Sequence, residues 1–427
     1  LFPPLLRTIV KVKLKVSKML PKTSLHVTTF EEATRLGSRR VAPSQDWDRN
    51  FLASISQGQN SNSKGDQIST DDVAVLQYTG GTTGRSKGAM LTHRNLMTNV
   101  SQVETFGAQV FEKGREVILT ALPLYHIFAF TVNFVTFFHL GSLNVLIPNP
   151  RPLSNLRKCF EKYRFTSITG VNTLYNALAD EPWFKASPPQ KLRLSIAGGA
   201  ALNTAVAEKW ERVSGCPVIE GYGLTESSPV LCFNPIGGGM VKGGSIGVPM
   251  PSTEVRIIDD SGKVLPQGQI GEIVARGDQI MAGYWQKPES SAETIVNGWL
   301  LTGDIGFMDE DGYFRIVDRK KDMINVSGFN VYPNEVEEAI MRHPDVAECS
   351  VIGVPDEHSG ESVRAYVVLK PSKSMSLEEL REHCKKTLTA YKVPKQLKIK
   401  TELPKTPVGK ILRKDLRAEA AKEDMSS

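Results

Sequence analysis

From Asp71 to about Gly223, short apolar runs alternate with longer amphipathic stretches. VAVLQY, EVILTAL, SLNVLI, FTSIT, RLSIAGG and PVIEGYG have the length and β-branched content of strands. NLMTNVSQVETF and NTAVAEKWERV place apolar residues at helical spacing. This alternation predicts an α/β sheet covered by helices on both faces. From Glu254 to Gly277, shorter strands separated by Gly turns (EVRIIDDSGKVLPQGQIGEIVARG) predict a β-roll or distorted barrel. After Lys321 the pattern shifts to helix NEVEEAIMRH, strands AECSVIGV and SVRAYVVL, and helix LEELREHCKKTL, a small α+β domain. The fold class expected is α/β: a large N-terminal α/β domain over 1–320 with a β-roll or distorted barrel portion, and a C-terminal α+β domain over 321–427.

Two stretches break the pattern. LFPPLLRTIVKVKLKVSKMLPK alternates strictly from Val10 to Val16, as a strand does. Its lysines and leucines equally suit a basic amphipathic segment on an anionic membrane, or a solvated charged face near a chain end. Residues 42–72 then run polar and read as a linker or surface loop. Between Val117 and Pro150 there is no Asp, Glu, Lys or Arg, and IFAFTVNFVTFF is rich in aromatics. Pro123, His126, Asn133, His139, Gly141 and Pro148 interrupt it, so no apolar run of about 20 residues exists. A buried helix lining an apolar cavity is expected there rather than a membrane span.

Composition narrows the classes. At 427 residues, 40% hydrophobic and 23% charged, the chain is globular and long enough for more than one core. Its net charge of +6 lies at one end: Arg7, Lys11, Lys13, Lys15, Lys18 and Lys22 have no acid among them, and the remainder balances 46 basic against 46 acidic residues. A neutral body argues against nucleic acid as the main partner. The five cysteines form no C-x-x-C pair, which argues against a disulfide framework or zinc cage and for reduced thiols in a cytoplasmic setting. The chain opens on Leu1 without a signal-peptide pattern and reads as a cut end.

The densest chemistry lies in Tyr78-Thr79-Gly80-Gly81-Thr82-Thr83-Gly84-Arg85-Ser86-Lys87-Gly88, directly after strand VAVLQ. Glycines free its backbone N–H groups, and hydroxyls with Lys87 surround them, a nest suited to a polyphosphate. Gly88 after Lys87 excludes a Walker A loop. Gly84 to Gly88 also matches G-x-S-x-G, so a serine hydrolase elbow and a plain surface loop remain alternatives. Further on, Glu220-Gly221-Tyr222-Gly223-Leu224-Thr225-Glu226 offers a ring to stack on a base, a phosphate-binding hydroxyl and a hard oxygen ligand for Mg²⁺. In Gly298-Trp299-Leu300-Leu301-Thr302-Gly303-Asp304, the Asp suits two ribose hydroxyls or an ordinary Asx-turn. Ile316-Val317-Asp318-Arg319-Lys320-Lys321-Asp322 marks the domain junction, as a functional segment or a solvated linker. Pro404-Lys405-Thr406-Pro407-Val408-Gly409-Lys410 is a stiffened loop presenting one lysine, or an exposed turn.

These five motifs, in this order over residues 73–415, resemble the adenylate-forming (AMP-binding) superfamily. NGWLLTGDIGFMDEDGYFRIVDRKKDMINVSGFNVYPNEVE and the basic opening are most similar to bacterial long-chain fatty acid–CoA ligases. The resemblance implies an AMP-forming ligase. It couples a fatty acid to ATP as acyl-AMP with loss of pyrophosphate, then passes the acyl group to CoA. It implies that Thr79, Gly80, Gly81, Thr82, Thr83, Gly84 and Lys87 hold the triphosphate. Thr225 would contact phosphate, Glu226 would hold Mg²⁺, and Tyr222 would pack on adenine beside the wall formed by Gly199, Ala200 and Ala201. Asp304 and Arg319 would take the ribose. Lys410 is implied as the catalytic lysine on a mobile C-terminal domain, Lys321 as its hinge, Gly328 as lining the CoA tunnel and His126 as gating the acyl pocket.

Only 78 residues precede Thr79, whereas members of the family carry a sizeable lobe there. Exposed apolar surface is therefore expected. Two alternatives stand beside the ligase: an acyl-AMP ligase serving another acceptor, and an inactive nucleotide- or lipid-binding fragment. The basic end makes a peripheral position on the inner face of the cell membrane an expectation. Chain-length preference and oligomeric state are not legible.

Overall fold

The computed structural model describes residues 68–79, 86–200, 202–406 and 409–424. The basic segment 1–22, most of the polar run 42–72, Gly80 to Gly84 and Ala201 lie outside them. A hairpin, β1 (Val73–Tyr78) and β2 (Gly88–Thr92), brackets the Gly-rich loop, and the Thr79 amide donates to the Lys87 carbonyl at 2.9 Å across its mouth. Helix α1 (His93–Phe106) follows at once. Thr92 Oγ1 accepts from the Asn95 amide and Asn95 Oδ1 from the Thr92 amide, a reciprocal cap.

The main sheet contains β3 (Val117–Thr120), β4 (Leu143–Leu146), β5 (Ser167–Gly170), β6 (Leu194–Ala197), β7 (Val218–Gly223), β8 (Val230–Phe233) and β9 (Val248–Pro249), in the order β4-β3-β5-β6-β7-β8-β9. It is parallel from β4 to β7 and antiparallel beyond. Every position of β5 and β6 is buried, as in strands covered on both faces. Ala197 and Val218 face a cluster containing Trp210, Tyr175 and Phe184, from α2 (Asn172–Asp180), α3 (Thr204–Ser214) and the turn after α2. Their neighbours Ile196 and Ile219 face an opposite cluster with Phe128, Val132 and Phe233. Period-two alternation thus feeds two cores from one sheet.

Within the charge-free stretch lies the expected helix, but as a π-helix over Ala129–Thr136. Its Val132 face is buried, while Phe134 and Phe138 are exposed beside Leu143 and Leu146 of edge strand β4. Among the described residues, no helix is long and apolar enough to cross a membrane.

A curled antiparallel sheet follows, built from β10 (Glu254–Ile258), β11 (Gly271–Arg276), β12 (Ile295–Val296), β13 (Trp299–Met308) and β14 (Phe314–Arg319). The C-terminal body carries β15 (Ile324–Val326), β16 (Phe329–Val331), β17 (Val346–Asp356), β18 (Gly360–Leu369) and β19 (Gln396–Lys400). Against them lie α4 (Pro333–Met341), α5 (Leu377–Lys385) and α6 (Arg413–Asp424), with a core of its own around Val336, Ile340, Val351 and Leu380.

Candidate active site

The lysine turn is built by local hydrogen bonds. Gly409 donates to the Thr406 carbonyl and Thr406 to the Lys410 carbonyl, both at 2.8 Å, while the Lys410 amide donates to Thr406 Oγ1 at 3.1 Å. Gly409 has φ of +84°, and a Cβ there would stand 3.0 Å from Thr173 Oγ1 of α2. Glycine is therefore required both for the left-handed turn and for its close seating on the large body. The seated turn directs Lys410 into a small cavity lined by Leu122, His126, Phe128, Val171, Gly198 and Gly199. Burial and the Arg319 guanidinium push its ammonium down to about 7, against a smaller opposing pull from Asp304. Among the described residues no carboxylate forms an ion pair with it. His126 shares the cavity, and burial followed by the nearby Lys410 charge lowers its pKa.

A second group of residues comes from β7, β13 and β14. Asp304 and Arg319 are cross-strand partners, with Arg319 Nε 3.3 Å from Asp304 Oδ1. Tyr222 donates its hydroxyl to Asp304 Oδ2 at 2.6 Å, and its ring is buried with Leu231, Cys232 and Ile246. Asp304 is thus a strand residue in register with Arg319, not the Asx-turn left open by the sequence. Gly199 adopts φ of +80° two residues after the end of β6, and Ala200 follows it. Glu220 on β7 accepts from the Leu202 amide at 3.2 Å, and burial raises its carboxyl to about 8.

The third group starts at the Gly-rich loop. Lys87 Nζ lies 4.9 Å above the centroid of the Tyr284 ring, and Tyr284 donates to Glu226 Oε1 at 2.6 Å. Tyr284 reaches this position because its segment pairs with β2, and the Met281 amide donates to the Glu226 carbonyl at 2.8 Å. Thr225 opens the single 3₁₀ turn that contains Glu226. No cluster of three metal-ligating side chains occurs among the described residues. A lone carboxylate such as Glu226 still suits Mg²⁺, which commonly takes one protein oxygen with phosphates and waters.

Lys410, His126 and Gly199 therefore share one cavity, and Arg319 and Asp304 lie within electrostatic reach of it. Lys321 follows β14 in a 3₁₀ turn at the surface, and Gly328 (φ +86°) sits on the exposed β15–β16 hairpin; neither lines that cavity. Asp318 and Asp322, which the sequence left as members of a possible solvated linker, are buried instead. Sequence reasoning missed Tyr284, since one tyrosine in GYWQKPES carries no motif, and gave no role to Glu220, Asp318 or Arg413. A second, small and wholly apolar pocket, with Val103, Phe106, Phe111, Val132, Phe233 and Met250 in its wall, lies in the cluster that also contains Phe128.

Comparison with known proteins shows the family. The family described as AMP-binding enzyme matches residues 8–285, and the AMP-binding enzyme C-terminal domain matches residues 335–410. A long-chain-fatty-acid–CoA ligase of Yersinia pestis is 53% identical over 361 residues, 84% of this chain and 63% of that protein. The chain thus spans somewhat under two thirds of that relative's length. The ligase of the same description from Haemophilus influenzae is 47% identical over 97% of this chain and 70% of its own. The crystal structure of ATP-bound MatB from Rhodopseudomonas palustris superposes with a TM-score of 0.77 at 33% identity, covering 86% of this chain and 72% of that one. Matched along most of its length in both sequence and fold, the chain belongs to the AMP-binding enzyme family.

Proposed function

We propose that the protein is a long-chain fatty acid–CoA ligase. In the first half-reaction the fatty carboxylate attacks the α-phosphorus of ATP, giving acyl-AMP and pyrophosphate. In the second, the CoA thiol displaces AMP from the acyl carbon and loses its proton, giving the thioester. The observation that carries this reading is Lys410: a half-buried, desolvated ammonium without a carboxylate partner among the described residues, placed in a cavity within electrostatic reach of Arg319 and Asp304. Such a group is held ready for anions, here the carboxylate and the α-phosphate whose charge it stabilises as they meet. Asp304 accepts from the ribose with Arg319 beside it, and Tyr222 braces Asp304 and borders the adenine next to Gly199 and Ala200. Lys87 and Thr79, at the mouth of the Gly-rich loop, bind the triphosphate. Glu226, positioned by Tyr284, is the residue that would hold Mg²⁺ with Thr225 beside it, and the ion would supply charge neutralisation. The apolar cavity takes the alkyl chain, with His126 and Phe128 between it and Lys410.

The C-terminal body from Lys321 then turns about that residue and brings the Gly328 hairpin to the site for CoA. Named relatives that are long-chain ligases support the acid and the acceptor. The basic segment 1–22 gives the cytoplasmic enzyme a salt-sensitive hold on anionic lipid. The test is a mass-spectrometric product assay with ATP, Mg²⁺ and mixed fatty acids, with and without CoA. Acyl-AMP without CoA and acyl-CoA with it are expected. Acyl-AMP that persists when CoA is supplied would overturn the acceptor assignment.

A further inference from the structure

Three residues beyond Lys410, Arg413 opens α6 with its side chain 15% exposed. Its five N–H donors are all engaged. Nε donates to Glu337 Oε1 at 3.2 Å, Nη1 to Asp318 Oδ1 at 3.1 Å and Asp322 Oδ2 at 3.3 Å, and Nη2 to Asn334 Oδ1 at 2.6 Å and Glu337 Oε2 at 2.8 Å. Four of these five acceptor atoms belong to the C-terminal body or its connecting turn. The exception is Asp318, which sits on β14 of the large body and is fully buried.

Asp318 takes two bonds from the C-terminal body. Its Oδ1 holds Arg413, and its Oδ2 accepts from the Asn334 amide at 2.7 Å. Asn334 is in the first turn of α4, whose own N-cap residue Tyr332 makes no side-chain cap bond. A carboxylate from the large body therefore accepts the N-terminal amide bond that the Tyr332 side chain leaves unmade, in addition to Glu335 in the first turn of α4. Asn334 Nδ2 adds a bond to the Val317 carbonyl at 3.2 Å. Three hydrogen bonds, two of them on one carboxylate, thus cross between the bodies where the chain passes between them, and the arginine that donates one of them lies three residues from Lys410.

We propose that Asp318 and Arg413 are positioning residues whose bridge seats Lys410 in the activation cavity, so that releasing Asp318 favours the second half-reaction over the first. This rests on the two-step ligase reading above. The bond pattern is asymmetric in a useful way. When Asp318 lets go, Arg413 keeps Asp322, Asn334 and Glu337, which travel with it, so no buried guanidinium is stranded.

The test is Asp318→Asn in the full chain, which keeps side-chain size but removes the charge. Two rates are compared: acyl-AMP formation without CoA, and thioester formation from supplied acyl-AMP and CoA. The first should fall roughly tenfold or more, the cost of a lost charged hydrogen bond, while the second should stay within about twofold. An equal fall in both, or none in the first, overturns the proposal. Hydrogen exchange without substrates supplies a readout independent of turnover. Amides of residues 320–322 and of the Thr406–Lys410 turn should exchange faster in the variant, while those of β5 and β6 should not change. Unchanged exchange at the turn overturns the pair's role. If the parent chain makes no acyl-AMP, the ligase reading fails and exchange still decides on the bridge. If Asp318→Asn does not fold, Arg413→Lys gives the same comparison, because it keeps a cation among Asp322 and Glu337 but gives up the five-donor fork.

Discussion

Lys410 and Arg413 are two cations three residues apart in one small body, and the fold treats them in opposite ways. Arg413 is surrounded by Asp318, Asp322 and Glu337, and that company pushes its pKa upward despite burial. Lys410 has no such company: burial first, then the like charge of Arg319, outweigh the pull of Asp304 and bring it down to about 7. A buried charge without a partner is costly, and a chain selected for stability alone would pair both. The difference separates structural from chemical use of charge. Arg413 is satisfied within the molecule, whereas Lys410 is kept for an anionic ligand.

The strongest way to break this comparison is Lys410→Ala. Acyl-AMP formation should drop about 10²- to 10³-fold, the usual loss of a preorganised electrostatic group, while ATP binding measured calorimetrically persists. Unchanged turnover would remove Lys410 from the chemistry.

A pH profile sharpens the same point. Lys410 acts as a cation, and the free protein loses that proton as pH rises through about 7. The kcat/KM for acyl-AMP formation should therefore decline on the alkaline side with an apparent pKa near 7. Lys410→Arg should be slower but flat through that range, since guanidinium does not titrate there. A decline that survives the substitution would assign the titration to another group.

The smallest effect concerns stability alone. Folded Glu220 keeps its proton up to about 8, whereas its ordinary value is 4.5. Between those values the folded state holds the extra proton, so raising the pH through this window costs stability, and the loss levels off above it. Glu220→Gln removes that slope. The variant should gain on the order of 2 kcal/mol over the parent near pH 6 in denaturant titrations, and little near pH 4. A gain independent of pH would mean that Glu220 is ionised in the fold.

Much of the architecture was legible in the chain. Strands such as RLSIAGG and PVIEGYG are short, apolar and bounded by glycine, and they appear as β6 and β7. Thr92 and Asn203 stand where helices begin and cap them through their side-chain oxygens. The charge-free aromatic stretch was readable as a helix but not as a π-helix, because hydrophobic spacing over eight residues does not distinguish the two periods. At the site, Lys410, Asp304 and Arg319 could be picked out because Gly turns and ordered motifs mark them. Tyr284 could not, since its role comes from pairing with a strand almost two hundred residues earlier.

The sequence by itself determined where most helices and strands of the described residues lie and which residues are rich enough in chemistry to be candidates. These follow from local periodicity, turn residues and motif order, which a linear chain carries. Only the tertiary structure decided which charges are spent and which are held back. Asp318, Asp322, Arg413 and Lys410 look alike in a charged sequence, yet burial and the arrival of partners from distant strands leave one paired on all sides and another desolvated without a partner among the described residues. Desolvation and charge pairing depend on three-dimensional distance, and that distance is set by the packing of elements rather than by their order.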